Sequence, residues 1–250
     1  PDTEMYLAAR GEPTGSTWRE HPHYFEMRDF FGMYYMAGGT NGVDENGNQT
    51  GPMAGGIVLF AAGNDASSEV CYPAADANAI SVGATAFTGA PAYYTNYGPG
   101  CNIAAPGGDA YQSYLENINT GASEVLSTVN GGKYGYMQGT SMACPHVSGV
   151  AALGLSYALQ LGKTFTQNEF TTLLLTSVND INQYCTGTKQ YFTDKGSLAT
   201  LDLSQYKKGM GTGYIDAYQV LMNVRGITCI PIPVGSQYTL NLQPYLGGGN

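Results

Sequence analysis

The chain has 250 residues, 12% of them charged, with 10 Lys and Arg against 19 Asp and Glu and a formal net charge of −9. That length suffices for one large domain with a sizeable core, and so acidic a balance argues against a nucleic-acid or anionic-membrane partner. No apolar run is read as a membrane span, and the abundance of Gly (35) and Tyr (20) points to a loop-rich, ordered protein with an uncharged polar surface.

The opening Pro1-Asp2, in place of Met, reads as the start of a processed or excised piece whose upstream part is missing. From Trp18 to Met36 aromatic and Met residues recur at three- and four-residue spacing, which predicts a helix with its apolar side toward the core. Residues 38–51, with Asn41-Gly42 and Asn46-Gly47, read as a surface loop. The run 55–62 is continuously apolar and stops at Gly63-Asn64-Asp65, as a buried parallel strand does when it reaches a polar loop. Buried strands are also predicted at 79–84, 102–107 and 125–129, with a long loop over 130–138. In open α/β sheets sites lie at the carboxyl ends of the strands, so Asn64 stands where chemistry is expected.

The segment from Gly139 to Leu153 (GTSMACPHVSGVAAL) reads as a tight turn launching a central helix that ends near Gly162. Gly139 permits a bend that a side chain would obstruct, and Pro145 is assigned to the first helical turn, where its missing N–H is no loss. The small residues Gly149, Ala151, Ala152, Gly154 and Ala158 predict a helix packed closely all round. A serine at the mouth of such a helix, Ser141, faces backbone N–H groups and the positive end of the helix dipole, where negative charge developing during acyl transfer is stabilised. Further on, Thr166-Gln167-Asn168-Glu169 is a capping box opening a helix through Thr176, and Gly211 to Ala217 begins a last helix to about Asn223. Beyond Ile227 the pattern turns β-like with proline breaks.

The residues Gly139-Thr140-Ser141-Met142-Ala143-Cys144-Pro145-His146-Val147-Ser148-Gly149 resemble the nucleophile motif of the subtilisin-like serine peptidases. Val58 to Asp65 resembles that family's oxyanion strand, and Tyr72-Pro73-Ala74, Ile80 to Ala84, Asn96-Tyr97-Gly98-Pro99, Ala105-Pro106-Gly107 and Gly211 to Ala217 match further blocks in order. The resemblance covers about residues 55–225 and implies an α/β, three-layer doubly wound sandwich with a mostly parallel central sheet, here lacking its N-terminal strands. It implies that Ser141 is the nucleophile, that Asn64 and the Ser141 backbone N–H hold the oxyanion, and that Ala62, Gly63, Gly139 and Thr140 bind the peptide substrate. Residues 1–226 are read as the C-terminal part of the peptidase domain, and 227–250 as a linker and first strand of a further β domain. The family further implies an exported protein: secreted, periplasmic or at the cell surface.

The family's base and orienting acid are not recognisable. Of the three histidines, His146 belongs to the nucleophile helix and is read as structural, while His21 and His23 flank Pro22 without the family's following glycine. Asp2-Thr3 is followed by Glu4 where glycine belongs. Asp2, one of His21 and His23, and Ser141 do run in the family's order, but their flanking residues do not match. The expected partners are therefore a peptide or protein substrate and an N-terminal fragment that carries the Asp and His. A non-catalytic binding or scaffold fragment is the alternative from a different class. An α/β-hydrolase esterase is excluded, since position 143 is Ala rather than the Gly of Gly-x-Ser-x-Gly.

No metal ligand set and no cofactor is expected; a calcium loop at Asp44 to Asn48, and the cation that the resemblance implies for the turn Ala74 to Ala79 aided by Asp76, are weighed and set below an ordinary solvated turn. The five cysteines include no Cys-x-x-Cys pair. Cys144 is expected to pack as a small hydrophobe. Cys71–Cys101 and Cys185–Cys229 are pairings open to an exported protein.

Overall fold

The computed structural model describes residues 42–111, 123–193 and 195–226. The predicted helix over Trp18–Met36, the residues Asp2, His21 and His23, Cys229 and the segment 227–250 lie outside the described residues.

Three short apolar runs form parallel neighbours: β1 (Leu59–Ala61), β2 (Ile80–Thr85) and β3 (Ile103–Pro106). Their register pairs Leu59 with Ile80 and Val82 with Ile103. β6 (Val178–Asn179) and β9 (Tyr214–Ile215) complete a five-stranded sheet in the order β1-β2-β3-β9-β6, parallel except for β6. All six residues of β2 are buried, which is why its sequence is continuously apolar or small rather than alternating.

Side-chain alternation splits the core between the two faces of this sheet. On one face Ile80, Val82, Ala84, Ile103 and Ala105 pack against the helix α1 (Thr140–Gln160) through Ala143, Val147, Ala151 and Ala158. Behind it stand α2 (Gln167–Thr176) and α3 (Ala217–Arg225). On the other face Ala104 meets Ile181, Cys185, Leu203, Tyr206 and Met210. The α/β class with a mostly parallel sheet is the architecture seen. The capping box is present in both directions, with the Thr166 hydroxyl receiving the Glu169 N–H and the Glu169 carboxylate receiving the Thr166 N–H.

Several expectations are corrected. The strand over 125–129 does not join the central sheet. It is β4 (Val125–Val129) of an exposed antiparallel hairpin with β5 (Lys133–Met137), which occupies much of the stretch expected to be a loop. Asn130-Gly131-Gly132 makes the turn, with both glycines at positive φ, the twist hairpin turns require. A second hairpin, β7 (Thr188–Phe192) with β8 (Leu198–Asp202), has no counterpart among the predicted elements. The last helix starts at Ala217, because Tyr214 and Ile215 are drawn into the sheet.

Among the described residues α1 is packed on one side only. Leu153 (48% exposed) and Leu159 (61%) point outward, and nothing lies within 4 Å of a side chain placed at Gly149. An 18-residue window of its 21 residues has a mean hydropathy of 1.3, so the helix matches a membrane span in length and composition, contrary to the expectation that no run would. Its buried face nevertheless packs on the sheet as a core helix does. Pro145 sits in the second helical turn, not the first, and therefore leaves the Ser141 carbonyl without its i+4 donor. Cys101, Cys144 and Cys185 are free thiols, so the Cys71–Cys101 pairing is not formed.

Candidate active site

The parallel strands β1 and β3 deliver their carboxyl ends to the amino end of α1. After β3 the backbone carbonyl of Gly107 receives the Gly139 N–H at 2.9 Å. A Cβ on Gly107 would lie 2.5 Å from the Ala84 Cβ and 2.8 Å from the Gly139 carbonyl, so only glycine allows this approach. Gly139 itself sits at φ 147 and ψ 161, a conformation open essentially to glycine alone. That bend sets Thr140 and Ser141 as the first residues of the helix. The Ser141 side chain is exposed at the surface.

After β1, Asn64 meets the same turn from a position 76 residues earlier. Its Oδ1 accepts both the Thr140 backbone N–H and the Thr140 hydroxyl, each at 2.8 Å. The Thr140 Oγ1 in turn receives the Gly63 N–H at 3.3 Å. Because an N–H can donate only to the oxygen of a carboxamide, these bonds fix which way Asn64 faces, and its Nδ2 is left as the outward donor. The Ser141 N–H takes no part in a hydrogen bond among the described residues, as expected for a free N–H in the first helical turn. Two donors and one hydroxyl therefore stand together at a helix amino terminus.

Every candidate site residue of the sequence is found at this junction. Ala62, fully buried, directly follows β1, with its N–H on the Val82 carbonyl. Gly63 has φ 113, and a Cβ there would fall 2.4 Å from Asn96 Nδ2 and 2.9 Å from Cys71 Sγ. Gly139 supplies the turn, and Thr140 couples Asn64 to it. The surface beside Ser141 is a pocket of about 270 Å³ lined by Val125, Leu126 and Ser127 of β4 and by Met142, Pro145 and His146 of α1. His146 places its Nδ1 2.8 Å from the Met142 carbonyl and makes no hydrogen bond to Ser141. Among the described residues the Ser141 hydroxyl has no hydrogen-bond partner, and so no base.

Three features of the site have hydrogen-bond partners that the sequence does not reveal. Asn96 is fully buried and its Oδ1 receives the N–H of Asp65 (2.8 Å) and of Ser67 (3.2 Å), holding the Asn64 loop. Gln138, next to Gly139, bonds Ala110 and Tyr93. Asp109 and Lys189 form a buried ion pair at 2.8 Å just behind them. All depend on partners distant in the chain, and no local spacing announces them. Tyr94, whose hydroxyl reaches the Gly107 and Gly108 carbonyls, has its phenol pushed well above the usual range by burial. As for metals, the Asp44 carboxylate receives the Asn48 side chain and the N–H groups of Asn48 and Asn46, which hold it below its ordinary value and commit it to its own turn. Asp76 Oδ1 receives the Asn78 N–H and side chain in the same way. No group of three metal-ligating side chains gathers among the described residues.

The family model of the subtilase family matches residues 34–206. An extracellular basic protease of Dichelobacter nodosus is 32% identical over 221 residues, 78% of this chain and 32% of that protein. An extracellular protease of Xanthomonas campestris pv. campestris is 45% identical over 105 residues, 42% of this chain and 17% of its own length. The chain thus spans about a third or less of these curated relatives. Among solved structures, proteases from Pseudoalteromonas arctica are 30% identical with a TM-score of 0.48, covering 67% of this chain and 42% of theirs. The family match takes in the Asn64 strand, the Ser141 turn and well over half of the residues, and the chain belongs to the subtilase family.

Proposed function

We propose that this chain is the nucleophile-bearing part of an exported serine endopeptidase, with its histidine base and orienting aspartate supplied by a segment upstream of it. In this reading Ser141 Oγ attacks the carbonyl carbon of a peptide bond and passes its proton to that histidine. The oxygen that becomes negative accepts hydrogen bonds from Asn64 Nδ2 and the Ser141 N–H. The histidine hands the proton to the departing amine, and water then hydrolyses the acyl-enzyme. Ala62, Gly63, Gly139 and Thr140 frame the oxyanion position and line the path of the extended substrate. The step requires no cofactor.

One observation carries the reading: Thr140, next to Ser141, donates twice to the oxygen of Asn64 and so leaves the carboxamide Nδ2 free to donate at the same turn. The names of extracellular protease relatives support export. That no base meets Ser141 among the described residues fits a supplied histidine, and it equally fits the second reading, a non-catalytic module. A fluorophosphonate probe separates them. With the upstream segment present, rapid labelling that disappears in Ser141→Ala is expected of the peptidase. Absence of labelling in the full-length protein leaves the non-catalytic module.

A further inference from the structure

Gly139 takes a backbone conformation open essentially to glycine, and because glycine is free to take many others, neighbouring groups have to select this one. Its own side chain cannot help, and the helix it begins has no side-chain cap. Besides the Gly139 N–H bond to the Gly107 carbonyl, holding groups are supplied by the preceding residue. Gln138 Oε1 accepts the Ala110 N–H at 2.7 Å, and its Nε2 donates to the Tyr93 hydroxyl at 3.0 Å. The two anchors come from separate segments of the chain, and both are tied to one carboxylate. Ala110 directly follows Asp109, and the Asp109 Oδ2 receives the Tyr93 N–H at 3.2 Å. That carboxylate is fully buried and neutralised by Lys189, whose ammonium also donates to the Pro91 carbonyl. Tyr93 is further packed by rings, stacked on Tyr191 at 5.2 Å and edge-on to Tyr94 at 5.1 Å.

We infer that Gln138 is a positioning residue for the oxyanion hole, its carboxamide clamping the Gly139 turn onto a frame built around the Asp109–Lys189 pair. The inference rests on the peptidase reading above. Both oxyanion donors depend on this turn: the Ser141 N–H lies on it, and Asn64 is oriented by Thr140 within it. A loosened Gly139 therefore moves the two donors together. The consequence is specific. Donors that act on charge developed in the transition state affect kcat, while the bound substrate is scarcely weakened.

The test uses the full-length protein and two variants: Gln138→Ala, and Gln138→Met, which keeps the side chain's length and bulk and removes both hydrogen bonds. For a peptide substrate both variants should lower kcat about tenfold with KM near the wild-type value, on the scale expected for small misplacement of catalytic groups. In hydrogen–deuterium exchange both should speed exchange of the Ala110 amide and of the hydrogen-bonded amides of Gly139, Thr140 and Met142 about tenfold or more. A space-filling role predicts instead that Gln138→Met behaves as wild type. Wild-type kcat in Gln138→Met, or unaltered exchange at Ala110, Gly139, Thr140 and Met142, overturns the inference. If the wild-type protein itself neither hydrolyses peptides nor takes a fluorophosphonate, the peptidase reading fails, and the exchange data still decide whether Gln138 clamps the turn.

Discussion

Asn96 shows how much of this site depends on single buried hydrogen-bonding groups. Its Oδ1 is shared by the N–H groups of Asp65 and Ser67, and its Nδ2 reaches Asp65 Oδ2 at 3.3 Å. Replacing it with Ala leaves two backbone donors without an acceptor inside the fold. Asn96→Ala should therefore lower stability by roughly 1–3 kcal/mol in urea unfolding. Its side chain also fills the space that keeps Gly63 without a Cβ. The sequence marks Asn96 as part of a recurring turn, but its purpose is unreadable there, since its partners stand 29 and 31 residues away. Thr140 is a similar case. Its place beside Ser141 is legible, while its double bond to Asn64 spans 76 residues and emerges only in the folded chain.

At the scale of elements, α1 offers an internal comparison between two glycines. Gly154 is buried where α1 crosses α3, and a Cβ there would come within 2.8 Å of Val220 Cγ1 and 3.2 Å of Phe170 Cζ. Gly149 faces open space. Both substitutions by Ala gain helix propensity of about 1 kcal/mol, but at Gly154 overpacking costs about 1–3 kcal/mol. Thermal unfolding should show Gly149→Ala raising the midpoint and Gly154→Ala lowering it. The capping box of α2 gives a pH dependence. The Thr166 backbone N–H, and then its hydroxyl, hold the Glu169 carboxyl below its ordinary value of 4.5. A depressed carboxyl stabilises the fold above its unfolded-state value and loses that contribution as pH falls through its folded-state value. The midpoint difference between wild type and Glu169→Gln should hence be constant near neutrality and shrink below about pH 4.5. The cap is legible in the sequence because its spacing is local. The β4–β5 hairpin is not, because an apolar, β-branched run does not say whether its partner is a central sheet or its own continuation.

Over the whole molecule, the parallel sheet brings the ends of β1 and β3 to one helix amino terminus, and the chemistry collects there. The strands β1 to β3 and the nucleophile helix are legible from continuous apolar runs and from glycines at fixed turns. The frame of Asp109, Lys189, Tyr93 and Gln138 is not, since it joins a loop, an unpredicted hairpin and the nucleophile turn through side chains of ordinary local appearance. Among the described residues, α1 keeps an outward apolar face, with Leu153 and Leu159 exposed, and β1 stands at one edge of the sheet. The central claim is that Ser141 and Asn64 act on one reacting carbonyl. Its most direct measurement is the rate of fluorophosphonate labelling in the full-length protein, with the adduct mapped by mass spectrometry. The account predicts one adduct, on Ser141, formed about 10²–10³-fold more slowly in Asn64→Ala, the magnitude already known for loss of an oxyanion-hole donor in subtilisin, a member of this same family. Labelling on another residue, or an undiminished rate in Asn64→Ala, would contradict it.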